Sequence, residues 1–120
     1  MARGLVIKLT AGAEEPERAN QAINVAATAL ASGAEVSMWL TGEAVWFAVP
    51  GRAEQVVLPH AAPFEELLAG VLAGGQLTVC TQCAKRRSLT EDDLIDGVRI
   101  AGSSAFAEEI LADGFQAIVY

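Results

Sequence analysis

Short runs of consecutive apolar residues alternate along the chain with longer stretches in which apolar residues recur every three or four positions. The runs at 4–9, 34–40, 76–80, 98–101 and 115–120 read as strands, the first apolar enough to be central in a sheet. Between them the period changes. Over 16–31, Ala19, Ala22, Ile23, Ala26 and Leu30 fall on one helical face, and most are small enough to let the helix lie close to a sheet. Pro16 suits its first turn, Glu14, Glu15 and Glu17 complement the positive end of its dipole, and Ser32-Gly33 stops it. Pro63 opens a second helix, in which Phe64, Leu67, Leu68, Val71 and Leu72 keep helical spacing until Gly74-Gly75. A short helix follows the third strand through Lys85, Arg86 and Arg87. Thr90 and Asp93 have the spacing of a capping box and start a brief helix that Gly97 closes. The last helix, about 104–112, turns Phe106 and Ile110 inward together with Ala107 and Leu111, and Gly114 ends it.

Two stretches are less regular. Residues 44–49 fit a strand or a short helix, with the helix favoured, and serve either as core or as a pocket wall or subunit contact. Residues 52–62 are poorly patterned, 55–58 reads as a short edge strand, and the only histidine, His60, lies between Pro59 and Pro63. Strands alternating with helices from end to end predict an α/β fold, a three-layer α/β/α domain over 1–120 with a mainly parallel sheet of about five strands. The order of the strands is not contained in this pattern.

Composition sharpens the picture. A 52% apolar and only 19% charged chain of 120 residues is one domain, and it points to a homo-oligomer that hides part of the apolar surface. The net charge of −7 argues against nucleic acid, whose affinity comes from neutralising phosphates, and against an anionic membrane surface. The first residues do not read as a secretory signal, and no apolar run approaches the roughly 18 residues of a membrane helix. The expected location is the cytoplasm. There, two close cysteines speak for redox, sulfur or metal chemistry more than for a structural disulfide.

Cys80 ends the apolar run 76–80, Cys83 follows three residues later, and Lys85, Arg86 and Arg87 come next. A strand handing over to a helix at Cys80 puts the thiol at the carboxyl edge of the sheet, where open α/β sheets bind ligands. A helix start and nearby cations both favour the reactive thiolate. Thr10, Gly12, Thr41, Gly42 and Ser103 are expected along the same edge. Cys80 reads as a nucleophile that carries sulfur, with Cys83 as a helper thiol. Alternatively, the two form a dithiol redox pair, although no thioredoxin-like W-C-x-P-C context surrounds them. A metal site would need four ligands, and one C-x-x-C with one histidine does not supply them. Both thiols as small buried hydrophobes is the plainest alternative.

Val79-Cys80-Thr81-Gln82-Cys83-Ala84-Lys85-Arg86-Arg87, preceded by Gly74-Gly75 and followed by Asp92-Asp93-Leu94 and Gly97-Val98-Arg99-Ile100-Ala101-Gly102, resembles the DsrE/DsrF/TusD-like family. The resemblance runs from the first strand to the last and is strongest from about Pro63 onward. It implies a small α/β protein that assembles as a dimer, trimer or hexamer. In sulfur-relay members it also implies a persulfide on the cysteine after this strand, here Cys80, with Arg86-Arg87 as the cationic pair. Two positions depart from the pattern: relay members of the TusD type usually lack a cysteine at Cys83, and Ser88 stands where a glycine often follows the arginines. The expected protein is a sulfur carrier or sulfurtransferase-like protein with no resident cofactor or metal. Cys80 forms the persulfide, Cys83 assists, and Lys85, Arg86 and Arg87 hold anionic groups, with donor and acceptor proteins as partners. The alternatives are an oligomeric module that binds a small ligand or protein and whose thiols are structural, and a Cys80–Cys83 dithiol redox protein.

Overall fold

A computed structural model describes residues 3–120. Five strands, β1 (Gly4–Leu9), β2 (Glu35–Leu40), β3 (Gln76–Cys80), β4 (Arg99–Ala101) and β5 (Phe115–Val119), form one sheet in the order β4-β3-β2-β1-β5. Every pairing is parallel. The helices are α1 (Pro16–Ala31), α2 (Phe64–Gly74), α3 (Thr81–Arg86) and α4 (Ser103–Ile110).

One face of the sheet carries the core. Leu5, Ile7, Leu9, Met38, Leu40, Leu77 and Val79 point to it and meet α1 and α2, which also pack on each other. On α1 the buried residues are Ala19, Ala22, Ile23 and Ala26, so the small-residue face touches the sheet, as its spacing requires. Residues 44–49 fall in a 3-10 helix, Gly42–Ala48. Its Val45 and Phe47 are fully buried, and the Phe47 ring lies 4.6 Å from that of Phe64, so the segment is core.

The other face is built differently. Register places Lys8, Trp39, Thr78 and Arg99 side by side across four strands. A single helix, α4, covers them, and none of its side chains is fully buried. It is held by a polar clamp. Ser37 Oγ at 2.5 Å, Trp39 Nε1 at 3.0 Å and Arg99 Nη2 at 2.5 Å all donate to the Glu109 carboxylate. Arg99 Nε in turn donates to Thr78 Oγ1 at 2.9 Å. Beside the clamp, Phe106 stands edge-on to Trp39 with ring centroids 5.2 Å apart.

Two sequence expectations need correction. Residues 55–58 are not an edge strand: both sheet edges belong to β4 and β5, and the chain makes one 3-10 turn, Ala53–Gln55, then leaves Val57 81% exposed. Ala107 and Leu111 do not turn inward. The stripe of α4 that meets the sheet runs through Phe106, Glu109 and Ile110, and a pattern read from hydrophobicity assigns the central Glu109 to solvent.

Burial pushes the Glu109 carboxyl up, but the hydrogen bonds from Ser37, Trp39 and Arg99, together with the Arg99 charge, bring it below the usual carboxylate range. A depressed folded-state value contributes stability above the ordinary glutamate pKa of about 4.3. That contribution is lost as pH falls through the depressed value. Wild type is therefore expected to exceed Glu109→Gln in stability at neutral pH, with the gap closing in acid. Urea melts of both proteins across pH check this, and a gap that does not change with pH contradicts it.

Candidate functional site

The chain runs from β1 to β2, β3 and β4 in one direction across the sheet, then jumps back over three strands to β5. Parallel crossovers are right-handed almost without exception, so a reversal of direction moves the crossover to the other face. The β3–β4 connection lies on the core side, where Cys83, Ala84, Leu94 and Val98 join the core cluster. The β4–β5 connection is α4, on the opposite side. The two connections part between the carboxyl ends of β3 and β4, and at such a point open α/β sheets form a ligand crevice.

Cys80 sits at that point. It is the last residue of β3, pairs with Ala101 of β4, and caps α3 with an extended backbone. Two residues beyond Thr78, it shares the α4 side of the sheet. There a cavity of about 40 Å³ is lined by Lys8, Trp39, Thr41, Cys80, Gly102, Ser103 and Phe106. Burial pushes the Cys80 thiol up, yet the backbone N–H groups of Cys83 and Gln82, the Cys83 thiol and the positive charge of Lys8 bring it below its ordinary value. The site therefore favours the nucleophilic thiolate at a half-buried position.

The other expected site residues take different places. Cys83 is buried on the core side, where its Sγ accepts the Gly42 N–H at 3.2 Å. Both cysteines are free thiols. Arg87 turns back on its own neighbourhood, donating to Glu43 at 2.7 Å and to the Cys83 carbonyl at 3.1 Å. The Arg87 hydrogen bond is the main reason the Glu43 carboxyl lies below the usual range. Lys85 and Arg86 are exposed, and Arg86 reaches only Gln82, at 3.4 Å. Thr41 and Ser103 line the cavity, whereas Thr10 donates to the Tyr120 carbonyl at 2.6 Å and Gly12 packs against the Glu43 backbone. His60 lies away from the cavity, in a turn with φ +63°. Among the described residues, no three His, Cys, Asp or Glu side chains gather as a metal would require.

Sequence reasoning missed Lys8, Trp39 and Phe106. Lys8 interrupts the first apolar run, and an interruption on the face of a central strand was the available signal. Its link to Cys80 crosses two strand pairings that only the sheet order reveals.

The topology defines a small parallel α/β protein with a half-buried cysteine at the carboxyl edge of the sheet. The chain belongs to the DsrE/DsrF-like family, whose sequence profile matches residues 4–120. It is 39% identical to the uncharacterized protein MJ0989 of Methanocaldococcus jannaschii over 87 residues, covering 71% of this chain and 72% of that one. It is 33% identical to the uncharacterized protein MK0008 of Methanopyrus kandleri over 85 residues, covering 71% and 68%. Among solved structures, the ychN protein from E. coli superposes with a TM-score of 0.77 at 19% identity, covering 97% of this chain and 99% of that one. MTH1491 from Methanobacterium thermoautotrophicum, a protein of unknown function, superposes with a TM-score of 0.67 at 12% identity over the full length of both. Among the described residues, no helix is long and apolar enough to cross a membrane.

Ser88, in the turn after α3, has φ +55°. The left-handed region costs a residue with a Cβ about 1–2 kcal/mol, partly offset by the extra freedom glycine has in the unfolded chain. Ser88→Gly is therefore expected to stabilise the protein by roughly 0.5–1 kcal/mol in chemical denaturation. Unchanged or reduced stability would mean the turn is not strained.

Proposed function

We propose that the protein is a sulfur carrier of the sulfurtransferase type, with Cys80 as the thiol that takes up and hands on a sulfane sulfur. The observation that carries this reading is the place of Cys80: at the end of β3, with core behind it, it lines a small cavity on the α4 side, and its thiol lies below the ordinary cysteine value. A thiol that merely fills space is enclosed by apolar neighbours and keeps its proton. Membership of the DsrE/DsrF-like family supports the same reading.

The step balances without an outside oxidant. The Cys80 thiolate attacks the terminal sulfur of a donor perthiol, R–S–SH. The donor's S–S bond breaks and its electron pair leaves on the inner sulfur as R–S⁻, while a new S–S bond forms at Cys80. The product is Cys80–S–SH, which rests as the perthiolate after giving its proton to water; once it regains that proton, an acceptor thiolate attacks the terminal sulfur by the same step and Cys80 leaves as thiolate. Lys85 and Arg86, exposed on α3, meet anionic groups of the donor or acceptor. Cys83 assists from the far side of the Cys80 thiol.

Intact mass after incubation with thiosulfate or a persulfide donor tests the reading, with Cys80→Ser and Cys83→Ser in parallel. One added sulfur atom, removed by reductant and absent only in Cys80→Ser, is the expected result. No adduct from any donor, or an adduct that survives in Cys80→Ser, sinks it. The dithiol alternative has its own signature, a loss of two protons on mild oxidation that requires both cysteines.

The carrier works as a homo-oligomer in this reading. Edge strand β5 leaves Ala117 and Val119 exposed, and Leu111 beside it is 80% exposed. Apolar residues along a free strand edge need cover. Light scattering on the purified protein is expected to give a multiple of the 12.5 kDa chain mass, and a monomer at micromolar concentration contradicts it.

A further inference from the structure

We propose that Lys8 is the counter-ion of the sulfur that Cys80 carries, and that the cavity between them is the seat of the transferred sulfur atom. This rests on the carrier reading above and assigns the electrostatic work to a residue outside the cysteine–cation segment.

Lys8 is an unusual residue for its place. It lies on β1, an inner strand of the sheet, half-buried between Trp39 of β2 and Val119 of β5. Its Nζ stands 3.9 Å over the Phe106 ring of α4. Partial burial of an ammonium group is costly unless an anion or an aromatic face compensates. Among the described residues, no carboxylate comes within ion-pair distance of Lys8, whereas Arg87 and Arg99 each have one.

The Phe106 face compensates one side of the ammonium group, and the other charged side chains on this side of the sheet supply no anion to it. On α4, Glu109 is committed to Arg99, Ser37 and Trp39, and Glu108 is exposed. On β4 the charge is Arg99 itself, and on β2 it is Glu35, at the opposite, amino-terminal end of the strand. Strand β5 brings no charged side chain. The remaining group is Cys80, which lines the same cavity and feels the Lys8 charge.

The cavity suits the load. By the measure in which a water needs about 10–15 Å³, its approximately 40 Å³ has room for one further sulfur atom beside the thiol. Trp39 and Phe106 give it polarisable aromatic walls, with which sulfur makes favourable contacts. Thr41 and Ser103 add hydroxyls to the lining. A perthiolate has its charge on the outer sulfur, beyond the backbone N–H groups that hold the inner one. Lys8 supplies the positive charge on the cavity side.

The test follows alkylation of Cys80 by uncharged iodoacetamide as a function of pH, located by peptide mass, in wild type, Lys8→Met and Lys8→Arg. In Lys8→Met the profile is expected to move to higher pH, with a severalfold lower rate at neutral pH and less sulfur retained after donor removal. Lys8→Arg is expected to keep the wild-type profile, because it restores charge without restoring shape. Coincident profiles for Lys8→Met and wild type overturn the proposal, as does an equal shift in both variants, which would make Lys8 a packing residue. Should Lys8→Met not fold, Lys8→Gln gives the same comparison. If wild-type Cys80 loads no sulfur at all, the carrier reading fails and this proposal with it. If it loads and Lys8 is without effect, the counter-ion assignment alone falls.

Discussion

The handedness of parallel crossovers is the constraint on which the site depends. Three successive connections carry the chain one way across the sheet with their helices on one face, and the fourth carries it back. A right-handed return has to pass over the other face. That obligation alone puts α4 opposite α1 and α2, sets its first turn beside the end of β3, and opens the sheet edge between β3 and β4. Cys80 then has apolar core behind it and the entrance of the return helix in front.

The two sides of the sheet are stabilised by different physics. The core side is apolar and buried, and its small α1 residues bring helix and sheet into contact. The α4 side depends on a satisfied polar network, Glu109 with Ser37, Trp39 and Arg99, in a medium where each bond is stronger than in water and each unpaired group dearer. Charge at the carboxyl edge is divided in the same manner. Arg87 is spent on Glu43, holding α3 against the Gly42–Ala48 helix, while the charge acting on Cys80 comes from beneath, from the sheet.

Much of the fold was legible because it is written locally. The strands, α1 and α2 announce themselves by period, proline and glycine, and the Thr90–Asp93 capping box forms with the Thr90 N–H donating to Asp93 at 2.8 Å. The placement of Cys80 at a strand–helix junction was legible for the same reason. What was hidden is whatever depends on strand order. Lys8 and Cys80 are distant in sequence and line one cavity from opposite sides of β2, so no spacing rule links them. Glu109 looks like a solvated helix residue until the sheet beneath it supplies donors. The C-x-x-C spacing suggests two thiols sharing one environment. An extended backbone at Cys80 followed by helix leaves the two thiols adjacent but unequal: Cys80 lines the cavity on the α4 side, while Cys83 is buried in the core behind it.

The roof of the cavity has a further consequence. Helix α4 has no fully buried side chain and is fastened through the Glu109 carboxylate and the Phe106 ring. Segments with little buried apolar surface open locally at less cost than melting the core. The cavity beside Cys80, lined by the first turn of α4, therefore borders a part of the fold whose opening is separate from the cooperative melting of the domain.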